Sequence, residues 1–212
     1  KSAVTLRNLL THTSGFVYEI WNSNEARWRE LTGTPSLFTL ENAALRTPLA
    51  FDPGTQWEYG IGIDWAGKMV EQVSGMTLGE YFAANLTGPL GMTDTAFTHS
   101  PSMLSRAAGL HARMPDGSLV PMELPAPENP EFEMGGGGLQ ATIRDYGKFI
   151  RMILNDGELG GTRVLRADTV AMMGRNHIGA LRVKELTTVA PQFSNSAEFF
   201  PGEPKSWGLT FQ

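Results

Sequence analysis

The stretch FDPGTQWEYGIGIDWAG, residues 51–67, places a Pro-Gly turn, a tyrosine and the start of a helix in close succession. A sharp turn before a helix fixes a side chain firmly, which makes Tyr59 a candidate for chemistry. A free phenol has a pKa of ~10 and is a poor base at neutral pH, but a nearby cation lowers that pKa. Tyr59 could then take a proton from a serine and return it to a leaving group. The competing interpretation, which the spacing alone favours, is a core tyrosine bonded to the backbone.

Short helices are predicted on both sides of this stretch. Thr5 is the expected N-cap of the first, Gly33 the C-cap of a second over residues 23–33, and Pro48 the end of a third over 39–48. A longer helix is predicted over residues 61–73, and its apolar face contains Ile63, Ala66, Val70 and Val73. The capping box Thr77/Glu80 follows and begins another helix, which is predicted to run to about Leu86.

The second half of the chain is predicted to contain one long amphipathic helix. The stretch GPLGMTDTAF, residues 88–97, is expected to form a turn followed by a short strand, and residues 112–134 an irregular excursion. Four glycines, residues 135–138, then form a loop before a helix that Thr142 and Asp145 cap and Gly157 ends. Its predicted apolar face contains Ile143, Tyr146, Phe149, Ile150, Ile153 and Leu154. A further helix is predicted over 167–174.

Composition excludes several classes of function. The chain has 212 residues, a net charge of −5 and no basic cluster, so a nucleic-acid partner is not expected. The absence of cysteine rules out disulfides and thiolate chemistry within this sequence. No apolar run approaches the ~20 residues that span a bilayer, so no membrane partner is expected either.

Other candidate centres are weaker than Tyr59. The four histidines lack ligand spacing, so a metal site is not expected. The glycine run lacks the Lys-Ser or Lys-Thr of a phosphate loop and is interpreted as backbone passing close to another group. Ser14 lies two residues from His12, a separation that rarely gives nucleophile–base geometry.

Three motifs in order carry a resemblance to a known family: LLTHTSG (residues 9–15), PGTQWEYG (53–60) and GGGGLQATIRDYGKFIRMILNDGELGG (135–161). Together they resemble the serine β-lactamase-like superfamily, above all the class C β-lactamase-like carboxylesterases known as family VIII esterases. The resemblance implies an α+β fold of the serine β-lactamase/DD-peptidase type, of which residues 1–212 form a single, mostly helical unit with a few short strands.

The resemblance also implies an acyl-serine mechanism without a cofactor. The nucleophile and its lysine come from a Ser-x-x-Lys motif, Tyr59 matches the catalytic tyrosine, and the lysine supplies the cation that Tyr59 needs. This sequence contains neither Ser-x-x-Lys nor Lys-Thr-Gly. The chain is therefore expected to be a fragment, lacking both ends of a larger domain, whose partner is the rest of its own catalytic domain.

Function is predicted as hydrolysis of short-chain esters. β-Lactamases of the superfamily carry Tyr-x-Asn, whereas Ile61 stands in the Asn position here. The substrate-binding candidates are Phe16, Tyr18, His12 and Trp57, with core packing as the alternative for Phe16 and Trp57 and local backbone capping for His12. The rival functions are a β-lactamase or D-amino-acid peptidase/transesterase, and a non-catalytic binding homologue. The family comparison favours a cytoplasmic location over a periplasmic one.

Overall fold

The computed structural model describes residues 2–123 and 130–211, in which short helices are joined by long loops and tight turns. The helices are α1 (Leu6–Leu10), α2 (Ser23–Thr32), α3 (Gly62–Ser74), α4 (Leu78–Phe82), α5 (Pro101–Leu104), α6 (Ile143–Leu154) and α7 (Ala167–Met173). Two antiparallel hairpins pair β1 (Leu110–Arg113) with β2 (Leu119–Met122) and β3 (Glu158–Leu159) with β4 (Thr162–Arg163).

The predicted helix caps at Thr5, Gly33 and Thr77 are confirmed, whereas α6 ends at Leu154 rather than at Gly157. The Thr5 hydroxyl accepts a hydrogen bond from the Asn8 N–H at 3.2 Å and so satisfies an otherwise free donor at the start of α1. Gly33 ends α2 in the left-handed conformation, with φ of 68°. Thr77 and Glu80 form the capping box of α4. These contacts are local, which is why the sequence predicts them.

The predicted helix over residues 39–48 is wrong. The chain instead forms two short 3₁₀ turns, Leu37–Thr39 and Asn42–Leu45. Leu40 between them has φ of 56°, and a residue in the left-handed region cannot continue a right-handed helix. The helix predicted through Leu86 also changes character, because α4 passes into a π-helical turn over Ala83–Thr87.

The strand predicted after residue 88 is wrong in extent, because it is reduced to a single antiparallel bridge between Ala96 and Gln140. The excursion predicted over residues 112–134 is irregular in only part of its length. It contains most of the β1–β2 hairpin, whose turn is closed by the Gly117 N–H donating to the Met114 carbonyl at 2.9 Å. Residues 124–129 of the excursion lie outside the described residues.

Only part of the predicted apolar face of α6 is packed within the described residues. Phe149 and Ile153 pack beside the buried Met152, against a cluster that includes Leu90 and Met92. The remaining members of that face are exposed, namely Ile143 (93%), Tyr146, Ile150 and Leu154 (79%). The helix carries apolar residues on two sides, and only one side is packed within the described chain. Val73 on α3 is exposed in the same way.

The main core lies beneath the loop that precedes α3. Its buried members come from segments far apart in the sequence: Tyr18, Leu37, Leu45, Ile61, Phe132 and Met134. Tyr59 and Trp65 pack against this cluster, so the candidate tyrosine lies at the edge of the main core. None of the described helices has the length and apolar character needed to span a bilayer.

Candidate active site

Tyr59 lies in a loop that hydrogen bonds hold against the segment following α1. The turn at Gly54 has φ of 85°, and its N–H donates to the Thr13 carbonyl at 2.8 Å. The N–H of Glu58 donates to the His12 carbonyl at 2.9 Å, and that of Gly60 donates to His12 Nδ1 at 3.2 Å. The Pro-Gly turn and these hydrogen bonds therefore fix the position of Tyr59 just before α3.

Two glycines after Tyr59 allow this close approach. A Cβ atom on Gly60 would lie 2.0 Å from the Phe16 carbonyl oxygen, and one on Gly62 would lie 2.5 Å from that of Leu9. Both distances are far below van der Waals contact, so only glycine fits. Between them Ile61 is fully buried in the core, where its side chain faces protein rather than a substrate.

Tyr59 contributes to the walls of two cavities. One, of about 260 Å³, is mainly apolar and is lined by Tyr18, Glu19, Ile20, Trp21, Leu37, Phe38, Tyr59, Met134 and Gly136. The other, of about 200 Å³, is more polar and includes Trp21, Trp57, Glu58, Tyr59, Lys184 and Glu185 in its lining. Tyr59 is half-buried, packs against the core cluster and borders both cavities.

A buried carboxylate behind the apolar cavity was missed by sequence reasoning. Asp64, in the first turn of α3, is 0% exposed. Its Oδ1 accepts the Gly136 N–H at 2.9 Å and its Oδ2 accepts the Tyr18 hydroxyl at 3.4 Å. Burial raises the pKa of Asp64 to about 6. The only signal in the sequence is an acidic residue at a helix start, a common surface feature.

The electrostatics of Tyr59 favour the protonated phenol. Burial, and then the Asp64 carboxylate, raise the pKa of Tyr59 above its ordinary value. The nearest rings are those of His12, at 4.5 Å between centroids, and Tyr18, at 5.2 Å. Within the described residues, no lysine or arginine hydrogen-bonds to the Tyr59 hydroxyl. Ionisation at neutral pH therefore requires an additional cation close to the phenol.

The four substrate-binding candidates occupy different environments. Tyr18 lines the apolar cavity, but its hydroxyl is engaged by Asp64. Trp57 lines the polar cavity, and its buried indole Nε1 has no partner among the described residues. Phe16 stacks on Trp65 with 5.9 Å between ring centroids, outside both cavity linings. His12 is 3% exposed and also lies outside both linings.

Other centres considered from the sequence are not assembled into sites. Ser14 is buried, and its Oγ accepts the Phe16 N–H at 3.3 Å. The four-glycine loop passes close to Asp64 and Tyr18, in agreement with its interpretation as a close backbone approach. Across residues 2–123 and 130–211, no three His, Asp or Glu side chains are grouped closely enough to hold a metal ion.

Comparison with known proteins decides the family. The Beta-lactamase family model matches residues 1–209, almost the whole chain. The chain belongs to the beta-lactamase family. The α+β fold expected from the sequence is confirmed by this match and by solved structures of the same fold, and the described residues form a largely helical part of it with a few short strands.

Relatives within the beta-lactamase family include an esterase and acyltransferases. The chain is 36% identical to a lovastatin esterase of Penicillium rubens over 188 residues, which cover 83% of this chain and 45% of the relative. It is 34% identical to the acyltransferase calJ of Penicillium decumbens, covering 82% of this chain and 42% of the relative.

The fold is similar to that of a solved structure of simvastatin synthase (LovD) from Aspergillus terreus, in a mutant form. The TM-score is 0.70 at 35% identity, over 83% of this chain and 42% of the other. This chain therefore spans less than half the length of these relatives, which are hydrolases and acyltransferases of a serine hydrolase family.

Proposed function

We propose that the chain supplies the general base, Tyr59, of a serine carboxylesterase that hydrolyses short-chain esters through an acyl-serine intermediate. The observation that supports this most directly is the position of Tyr59 on the shared wall of two cavities. A base must reach a proton on a bound reactant, and a phenol bordering open space meets that requirement. The relatives named as an esterase and acyltransferases act on esters or acyl groups, which agrees with this chemistry.

The proposed cycle passes one proton through Tyr59. The lysine of a Ser-x-x-Lys motif outside these 212 residues offsets the burial and the Asp64 charge that keep the phenol protonated. Tyr59 then takes the proton of the serine hydroxyl while the serine oxygen bonds to the ester carbonyl carbon. The bond to the leaving alkoxide breaks, and Tyr59 returns the proton to that oxygen. Attack by water releases the acid and restores the serine.

The volume and the lining of the apolar cavity suit a substrate with a short acyl chain. Its volume of about 260 Å³ is below the roughly 300–1,000 Å³ typical of pockets for drug-sized ligands. Leu37, Phe38 and Met134 in its lining offer hydrocarbon contact, and each buried methylene of an acyl chain gains about 0.8 kcal/mol. An acyl chain of a few carbons therefore fits within this cavity and gains binding affinity from its apolar lining.

The buried Ile61 favours ester over lactam substrates. In the Tyr-x-Asn arrangement of β-lactamases an amide stands at this position, whereas here a hydrocarbon side chain is packed into the core. The rival function is transfer of the acyl group to an acceptor alcohol rather than to water. It is supported by the acyltransferases among the relatives.

We further propose that the chain is one part of a larger catalytic domain. The uncovered side of α6, with Ile143 and Leu154 among its exposed residues, is the kind of surface that a soluble domain normally covers. The relatives are about twice as long as the region matched here. The missing nucleophile motif belongs to the same absent part under this proposal.

The proposal is tested with the complete enzyme by replacing Tyr59 with Phe. Loss of a general base costs ~10²–10⁴-fold in rate, so hydrolysis of p-nitrophenyl butyrate should fall by that factor. Tyr81→Phe, an exposed tyrosine on α4, is the control and should retain full activity. An unchanged rate in Tyr59→Phe removes Tyr59 from the mechanism.

Substrate comparison separates the rivals. Faster turnover of nitrocefin or D-amino-acid amides than of p-nitrophenyl butyrate contradicts an esterase. A product formed mainly with an added alcohol, at the expense of hydrolysis, identifies an acyltransferase. No turnover of any of them, with no acylation of a serine detected by mass spectrometry, identifies a non-catalytic binding relative.

A further inference from the structure

Both residues that flank Tyr59 donate a main-chain hydrogen bond to one residue, His12. On the N-terminal side the Glu58 N–H donates to the His12 main-chain carbonyl at 2.9 Å. On the C-terminal side the Gly60 N–H donates to the imidazole Nδ1 at 3.2 Å. Tyr59 is thus held between two hydrogen bonds that converge on a residue 47 positions earlier in the chain.

The second of these bonds fixes the state of the imidazole. Because the Gly60 N–H is a donor, Nδ1 must present a lone pair, so the ring is neutral with its hydrogen on Nε2. A proton on Nδ1 would set two donors against each other. Burial acts in the same direction, since it lowers the pKa of His12 to about 4. The ring therefore remains an acceptor throughout the neutral range.

Aromatic packing holds the imidazole in this orientation. Its centroid lies 4.5 Å from the ring of Tyr59, and the rings of Trp57 and Trp207 meet it edge-on at 6.2 and 5.2 Å. The backbone of His12 has φ of 54°, a left-handed conformation that is uncommon outside glycine. This unusual conformation and the packed ring occur together at the residue that carries both hydrogen bonds to the Tyr59 loop.

We propose that His12 is a positioning residue for Tyr59, because its main-chain carbonyl accepts the Glu58 N–H and its unprotonated Nδ1 accepts the Gly60 N–H. The proposal rests on the proposed function of Tyr59 only for its catalytic consequence. It replaces the expectation that His12 contacts substrate, because the side chain borders neither cavity. Its role is to keep the phenol at one place relative to the two cavities.

Two substitutions of His12 separate the hydrogen bond from simple packing. His12→Asn retains an acceptor, since Oδ1 stands the same number of bonds from Cβ as Nδ1 does, and Asn tolerates positive φ. His12→Leu keeps hydrocarbon bulk and removes the acceptor. Near-ultraviolet circular dichroism establishes whether each variant is folded. If His12→Leu does not fold, the position of the imidazole hydrogen and the behaviour of His12→Asn still test the proposal.

The first measurement uses nuclear magnetic resonance on the complete enzyme, with isotope labels on histidine and glycine. Two-bond proton–nitrogen spectra should place the imidazole hydrogen on Nε2 at pH 7. Amide exchange at Gly60 should accelerate on the order of tenfold in His12→Leu and little in His12→Asn, because one hydrogen bond is lost in the former. The Gly54 N–H, bonded to Thr13 instead, is the internal control. A hydrogen on Nδ1, or unchanged Gly60 exchange in the Leu variant, overturns the proposal.

The second measurement uses kinetics of the complete enzyme. His12→Leu should lower kcat and leave KM nearly unchanged, and His12→Asn should restore most of kcat. If Tyr59→Phe lowers activity but His12→Leu does not, the positioning role is wrong although the proposed function stands. If Tyr59→Phe has no effect, the proposed function fails, and the nuclear magnetic resonance result still decides the hydrogen bond.

Discussion

The Asp64 carboxylate accepts a hydrogen bond from the backbone N–H of Gly136 at 2.9 Å, across 72 residues of sequence. This contact ties the first turn of α3 to the four-glycine loop directly behind the apolar cavity. The Tyr18 hydroxyl completes the junction on the other carboxylate oxygen. Tyr18 also packs 5.2 Å from the ring of Tyr59, so the junction sets one side of the candidate active site.

Replacing Gly136 with Ala should destabilise the chain. A Cβ there would lie 2.5 Å from the Tyr18 hydroxyl and 3.0 Å from Asp64 Oδ2, so the junction must open. Overpacking of this kind typically costs 1–3 kcal/mol, a loss measurable by urea unfolding. The backbone conformation of Gly136 is not left-handed, so any loss reports the contact rather than φ.

The matched control is Gly147→Ala in the interior of α6. Beyond the adjacent residues and the backbone of α6 itself, no described heavy atom lies within 4 Å of a Cβ at Gly147, and Ala is favoured over Gly inside a helix by roughly 0.5–1 kcal/mol. Gly147→Ala should therefore leave stability unchanged or raise it. Equal losses in the two variants would mean that the junction does not constrain Gly136.

Asp64 and His12 should give opposite dependences of stability on pH. The folded pKa of Asp64 is raised from its ordinary 3.8 to about 6, so its contribution is present below pH 4 and is lost as pH rises through 6. The folded pKa of His12 is lowered from 6.5 to about 4, so its contribution is present above pH 6.5 and is lost as pH falls toward 4. Each shift corresponds to about 3 kcal/mol, so the two largely offset each other between pH 4 and 6.

Asp64→Asn and His12→Asn should expose these two contributions separately. The wild-type stability minus that of Asp64→Asn should decrease as pH rises from 4 to 6, whereas for His12→Asn the same difference should increase from 4 to 6.5. Urea unfolding at several pH values measures both, and all other titrating groups cancel in each difference. Differences that stay constant with pH would show that the buried groups titrate as they do in the unfolded chain.

Local chemistry explains which parts of the fold the sequence predicts. The caps at Thr5, Gly33 and Thr77 depend on residues within one turn, and those predictions are confirmed. Tyr59 is a candidate from sequence because a Pro-Gly turn and a helix start leave a recognisable pattern around it. Asp64 was missed because its partners, Tyr18 and Gly136, lie 46 and 72 residues away.

The packed side of α6 shows a second limit. Ile143 and Leu154 satisfy the helical period as well as Phe149 and Ile153 do, so periodicity cannot choose between the two sides. The choice is made by Asp145, which accepts hydrogen bonds from the Asp94 N–H at 2.7 Å and the Thr95 hydroxyl at 3.2 Å. A polar anchor in tertiary contact, absent from any hydrophobic pattern, thus orients the helix.

A buried ion cluster beside the apolar cavity should be among the most sensitive parts of the chain. Arg29 on α2 lies within 2.9 Å of Glu25 and 2.8 Å of Glu19, and it also donates to the Ala44 carbonyl at 2.9 Å. Both Arg29 and Glu25 are buried, and burial raises the pKa of Glu25. Glu19 lines the cavity, so the cluster supports that wall directly.

Arg29→Met should cost about 3–5 kcal/mol, because it leaves the buried Glu25 and the partly buried Glu19 without their cation. The control is Arg27→Met on the same helix, where the pair with Glu30 is solvent-exposed and worth less than about 1 kcal/mol. Urea unfolding at pH 7 measures both losses. The Arg29→Met loss should shrink in acid, where protonation removes the unpaired charge of Glu25, whose pKa burial raises. Equal losses for the two variants, or a loss independent of pH, would mean that the Arg29 cluster is solvated like an ordinary surface pair.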